Sequence, residues 1–126
     1  MKSNKRTYVI VGILLFLAAL VLIESQTKTL RRYFDDVVLD NQGHYLKCGE
    51  LPTQAEVEAV MVTHQDIIRE IEGINPGLVG VYSESGQCPG KADIVFYYGS
   101  HEDRLKVERI IGSDTFFGIP YRLRNQ

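Results

Sequence analysis

Between Thr7 and Ile23 the chain reads T-Y-V-I-V-G-I-L-L-F-L-A-A-L-V-L-I, seventeen residues without a charge. As a helix at 1.5 Å per residue this stretch is roughly 25 Å long, a little short of the roughly 30 Å hydrocarbon layer of a bilayer. Tyr8 at one boundary, with Arg6 and Lys28 reaching outward, makes up the difference. A helix that is apolar on every side needs lipid or a large protein core around it. The hundred or so residues that follow are too few to supply such a core. The segment therefore reads as a transmembrane signal-anchor that places the bilayer among the partners of this chain. A cleaved signal peptide is the alternative, but its best cleavage site, Ile23-Glu24-Ser25, has a bulky residue where a small one is preferred.

Charge is divided around this segment. All sixteen acids lie after Ile23, and Lys2, Lys5 and Arg6 precede it, leaving eleven bases against sixteen acids in the remainder. An acidic domain is unsuited to neutralising phosphates, so nucleic acid is not an expected partner. For orientation, the three leading bases are nearly balanced by Lys28, Arg31 and Arg32. The brevity of the basic tail breaks the tie towards an N-terminus inside and a domain outside. The expected division is a cytoplasmic tail over 1–6, the anchor over 7–23, a stem over 24–43 and an extracytoplasmic domain over 44–126.

Two cysteines agree with export. Cys48 and Cys88 each lie in a loop-like stretch, and a bridge between them closes a loop of about forty residues. Two unrelated free thiols are the alternative. A zinc site is not expected, because two Cys and three scattered His form no paired ligand motif.

Along the rest of the chain, Val37–Leu39 and His44–Leu46 flank a turn at Asp40–Gly43 and suggest a short hairpin. Thr53 and Glu56 form a capping box, followed by Val57, Val60, Met61, His64, Ile67, Ile68 and Ile71 at helical spacing, with Gly73 closing the run. The pattern predicts one amphipathic helix of about twenty residues. Strands are expected over 78–84 and 92–98, a second helix after Ser100 ending at Gly112, and a last strand where Phe117, Ile119, Tyr121 and Leu123 alternate. Pro120 assigns that last strand to a sheet edge. The order is αββαβ, or βαββαβ if residues 44–48 add a first strand. The expected class is α+β, a ferredoxin-like two-layer sandwich with two helices on one face of an antiparallel sheet, behind one N-terminal transmembrane helix.

From Val57 to Leu123 the chain resembles a small domain found beside trypsin-like serine protease domains in some bacterial proteins. The resemblance rests on the helix, Gly77-Leu78-Val79-Gly80-Val81, the apolar strand Ile94–Tyr98 and Gly118-Ile119-Pro120-Tyr121. It implies the same fold and transfers no catalytic residue.

No catalytic site or cofactor is expected. There is no G-x-S-x-G elbow, and Gly86–Gly90 lacks the Lys-Ser/Thr of a phosphate loop. His64 lies on an apolar stripe, His101, Glu102 and Asp103 read as the first turn of a helix, and Asp35, Asp36 and Asp40 read as a solvated stem. Strand 92–98 invites comparison with an RNA-recognition strand, but it presents Asp93 where a stacking aromatic would be needed. If the helices cover one side of the sheet, Tyr82, Asp93, Val95, Tyr97, Pro120 and Arg122 lie on the other. Of these, Tyr82, Val95, Tyr97 and Arg122 form the candidate protein-binding surface, with a plain solvated sheet as the alternative. The expected function is a membrane-anchored extracytoplasmic interaction or accessory module. A small extracytoplasmic hydrolase built on His44, His64 or His101, and a structural subunit of a membrane complex, are the alternatives.

Overall fold

The computed structural model describes residues 3–126. The apolar segment is the centre of helix α1 (Ser3–Thr27). At 25 residues this helix is roughly 37 Å long, enough to cross a hydrocarbon layer of about 30 Å. No part of it is buried against protein, and it is the one helix among the described residues that has the length and composition of a membrane span. It does not run on into the stem. Lys28 takes a left-handed conformation with φ 51° and separates α1 from the short helix α2 (Thr29–Tyr33). Glu24 fixes the break, its two carboxylate oxygens accepting from the backbone N–H of Leu30 at 2.9 Å and Arg31 at 3.0 Å. A single π-helical turn, Phe34–Val38, follows.

The chain divides between Phe34 and Asp35 into two units. In the second, the capping box forms as read, the Thr53 hydroxyl accepting from Glu56 N–H while the Glu56 carboxylate accepts from Thr53 N–H. The helix it starts is interrupted. Helix α3 (Gln54–Thr63) ends at His64, whose ψ of 35° leaves the helical region, and α4 (Gln65–Glu72) resumes one residue later. Strand β1 (Gly80–Glu84) turns back through the Cys88 loop into β2 (Asp93–Tyr98). Helix α5 (His101–Ile111) starts on Ser100, which accepts from Asp103 N–H, and ends at Gly112 with φ 62°, a conformation glycine takes without strain. Two-residue β3 (Thr115–Phe116) and β4 (Ile119–Asn125) complete the chain.

The fold is α+β, with a four-stranded sheet in the order β1-β2-β4-β3. Its pairing is mixed: β1 and β2 are antiparallel, while β2 and β4 lie side by side and parallel, joined through α5. The ferredoxin-like expectation therefore needs correcting. That arrangement separates these two strands by another strand, which residues 44–48 would provide in the βαββαβ alternative, and here nothing intervenes. The expected hairpin at 37–46 is likewise absent. Nor is the last strand an edge. Pro120 is accommodated because the β2–β4 register begins one residue later, at Ile94 opposite Tyr121, so no ladder bond is missed.

Helices α3, α4 and α5 cover one face of the sheet. Val57, Ile68, Ile71 and Val107 from the helices meet Val79, Ile94, Phe96, Tyr98, Phe116 and Leu123 in one core. On the opposite face Gly80 lies directly beneath the Tyr97 ring, and a Cβ there would fall 2.2 Å from the tyrosine oxygen. Gly80→Ala is expected to cost about 1–3 kcal/mol by overpacking, read by urea unfolding. The double variant with Tyr97→Ala should recover most of that loss, whereas equal losses in both would remove the ring as its cause.

Residues 35–47, expected in the main to be a stem, are bonded into this unit. Asp40, with φ 53°, accepts at Oδ1 from Arg104 (2.8 Å) and His101 Nδ1 (2.7 Å) and at Oδ2 from Asn125 (3.2 Å), while its carbonyl accepts from the Tyr98 hydroxyl. Arg104 is buried and also binds Asp36 and Glu108. Gln42 then exchanges both backbone hydrogen bonds with Leu123, at 2.9 and 2.8 Å, on the outer side of β4.

Candidate functional site on the open face of the sheet

The registers fix which side chains share the face away from the helices. Tyr82, Val95 and Arg122 form one row across β1, β2 and β4, with Gly80, Tyr97 and Arg124 in the row beside it. Glu84 lies opposite Asp93 at the far end. Chain segment 43–47 crosses this face. It leaves Gln42 at the outer side of β4, reaches Asp93 on β2 through His44, and arrives at Cys48. Cys48 is bonded to Cys88 in the β1–β2 loop, with Cα atoms 5.3 Å apart. The disulfide thus fastens one end of the crossing segment and the Gln42–Leu123 pair the other.

Beneath the segment lies an ionic chain. The Arg122 guanidinium donates to both oxygens of Asp93 and to Glu84. His44 approaches Asp93 Oδ2 through Nε2 at 2.7 Å, and its Nδ1 accepts from Leu46 N–H at 3.0 Å. Since a backbone N–H only donates, Nε2 carries the imidazole proton and donates it to the carboxylate. Asp93 is almost completely buried. Burial works to raise its pKa, but the hydrogen bonds from His44 and Arg122 together with the Arg122 charge outweigh it and hold the carboxyl below the usual carboxylate range. Asp40, on the other side of the sheet, is lowered in the same way, its bonds to His101 and Arg104 outweighing burial. Hydrogen bonding to Asp93 and Glu84 pushes Arg122 further up, so it stays charged.

These two carboxylates make stability depend on acid. A carboxyl lowered by folding contributes stability that is complete above its unfolded value, about 3.9 for Asp, and that disappears as pH falls through the lower folded value. The urea midpoint should therefore decline as pH drops below about 4. Asp93→Asn should flatten part of that decline, and an unchanged slope would remove Asp93 as a contributor.

Each residue proposed from the sequence has a definite place. Val95 has no exposed area, so it contributes packing under the face and no contact surface. Tyr82 and Tyr97 are partly exposed, their rings 6.2 Å apart, and Arg124 reaches the Tyr82 hydroxyl at 3.1 Å. Arg122 is mostly engaged by its two acids. Arg124, His44 and Glu84 belong to the site without having been singled out for it. Arg124 was within reach, being two residues beyond Arg122 on an alternating strand.

The three histidines do not converge. His44 is bonded to Asp93 and His101 to Asp40, while His64 stacks on Phe117 with centroids 3.4 Å apart. Among the described residues no group of three His, Cys, Asp or Glu side chains has the geometry to hold a metal ion. Every buried side-chain nitrogen and oxygen among them has a partner. The arrangement clamps a chain segment to a sheet and leaves two tyrosines and an arginine partly accessible beside it.

Compared with protein-family models, characterised proteins and solved structures, the chain matches none.

Proposed function

We propose that this chain is a single-pass membrane protein whose acidic α+β domain lies outside the cytoplasm and serves as an interaction or accessory module. The observation that carries the reading is α1, apolar all round and uncovered along its length. A disulfide in the domain supports the compartment, because such bonds persist where the surroundings are oxidising. Retention of the anchor fits the placement of Glu24, which ties α1 to α2 across the bond where cleavage would fall. The contact surface is assigned to Tyr82, Tyr97 and Arg124, a cluster of the residue types that dominate protein recognition.

Three readouts test this on the full chain. It should stay with membranes through an alkaline carbonate wash, keep its intact mass, and bind a thiol reagent only after reduction. Protein released by the wash, or thiols open without reductant, would overturn the membrane or the compartment reading respectively. For the module, a photo-crosslinking residue at position 97 should yield a protein adduct in native membranes, and one at position 58 on α3 should not. Failure to form adducts at 82, 97 and 124 alike would leave the anchor helix as the working part and favour a structural subunit.

A further inference from the structure

Just beyond α1, Leu30, Tyr33, Phe34, Val37 and Val38 are each more than half exposed. Their i, i+3, i+4, i+7, i+8 spacing is that of one helical face. Arg31, Arg32, Asp35 and Asp36 occupy the remainder of the circle. The segment is helical throughout, first as α2 and then as the π-helical turn. It is also separated from α1 by the left-handed Lys28, so it is a second helical piece and no longer part of the span.

We infer that residues 29–38 form an interfacial helix whose apolar stripe is seated in the surface of an anionic lipid bilayer. Two observations select lipid as the occupant. The stripe begins three residues past the end of α1 and seven past the last residue of the apolar run, at the level of the headgroup layer. Lys28, Arg31 and Arg32 bring positive charge to that same level, complementary to anionic headgroups, in a domain that is otherwise acidic. The two acids of the polar side are committed elsewhere. Asp36 binds the buried Arg104 and Asp35 accepts from the Tyr45 hydroxyl, so the segment is joined to the folded domain through its acids while its apolar residues stay uncovered.

This inference rests on the membrane reading, and the test separates the two. The chain has no tryptophan, so a single one reports its own position. Full-length Leu15→Trp and Phe34→Trp proteins are reconstituted into vesicles of phosphatidylcholine with phosphatidylglycerol, with and without brominated acyl chains. The tryptophan at position 15 should be quenched from within the hydrocarbon. At position 34 roughly half or more of the emission should be lost to lipids brominated near the headgroup end, the depth of about 5–10 Å that an interfacial helix reaches. Adding Leu30→Glu and Val37→Glu should return that emission to the value of N-acetyl-tryptophanamide in water. If position 15 is quenched and position 34 behaves as in water, the interfacial helix is overturned and the anchor stands. If position 34 is blue-shifted but not quenched, a second copy of the chain covers the stripe and lipid is overturned. Persistence of quenching in the Glu variant also overturns it, and an unquenched position 15 removes both readings.

Discussion

Replacing Cys48 and Cys88 together with serine is expected to lower the stability of the domain by about 4 kcal/mol, the chain-entropy value for a closed loop of forty residues. In a domain of this size each kcal/mol moves the melting temperature by roughly 4–8 °C, so the midpoint should fall by some 15–30 °C. The loop encloses α3, α4 and β1, and Val57, Ile68, Ile71 and Val79 within it supply a large part of the core. Opening it frees the unfolded chain, and it also releases the end of the segment that crosses the sheet. Calorimetry on the double variant and on the reduced native protein should give the same drop. A loss of less than about 1 kcal/mol in both would mean that residual contacts already confine the unfolded loop.

Arg122→Leu is the second large effect, expected to cost about 3–5 kcal/mol in urea unfolding. Arg122 is the permanently charged partner of Asp93, whose side chain is 4% exposed, and without it that carboxylate keeps just the His44 bond. Leaving one partner of a buried ion pair charged and alone is the costly case, more so than losing the pair itself. Asp93→Leu with Arg122→Leu should accordingly be less damaging than Arg122→Leu alone. If the double variant loses the sum of the two single losses, the two residues are not coupled and the clamp beneath the crossing segment does no work as a unit.

How far these features could be read from residues follows the range of the interactions behind them. The capping box at Thr53, the alternation of Ile94, Phe96 and Tyr98, and the stop at Gly112 are local signals, and each appears where its pattern placed it. The face carrying Tyr82, Tyr97 and Arg122 followed from alternation alone, because period two leaves no other side for them. Strand order is a different matter. The direct β2–β4 pairing is between segments joined by a whole helix, and hydrophobic periodicity is the same whether or not another strand lies between them. The break at His64 was hidden for a related reason, since the apolar spacing continues through it. Least legible was segment 35–47. Its three aspartates look like solvated stem until Arg104 and His101 are seen to approach from α5 and Tyr45 to fold back onto Asp35. The fate of Val95 was lost with it, since the face on which it lies is crossed by segment 43–47, most of which was read as a strand.

The disulfide also decides how the domain answers to tension. Tension applied through residue 35 first meets the Asp36–Arg104 pair, the Asp40 bonds, the Gln42–Leu123 exchange and the His44–Asp93 bond. Once those yield, the load reaches Cys48 and passes covalently to Cys88. The thirty-nine intervening residues, with α3, α4 and β1, then carry no strain. Under load the segment ahead of Cys48 can lengthen only as far as the bridge, which carries the tension past α3, α4 and β1.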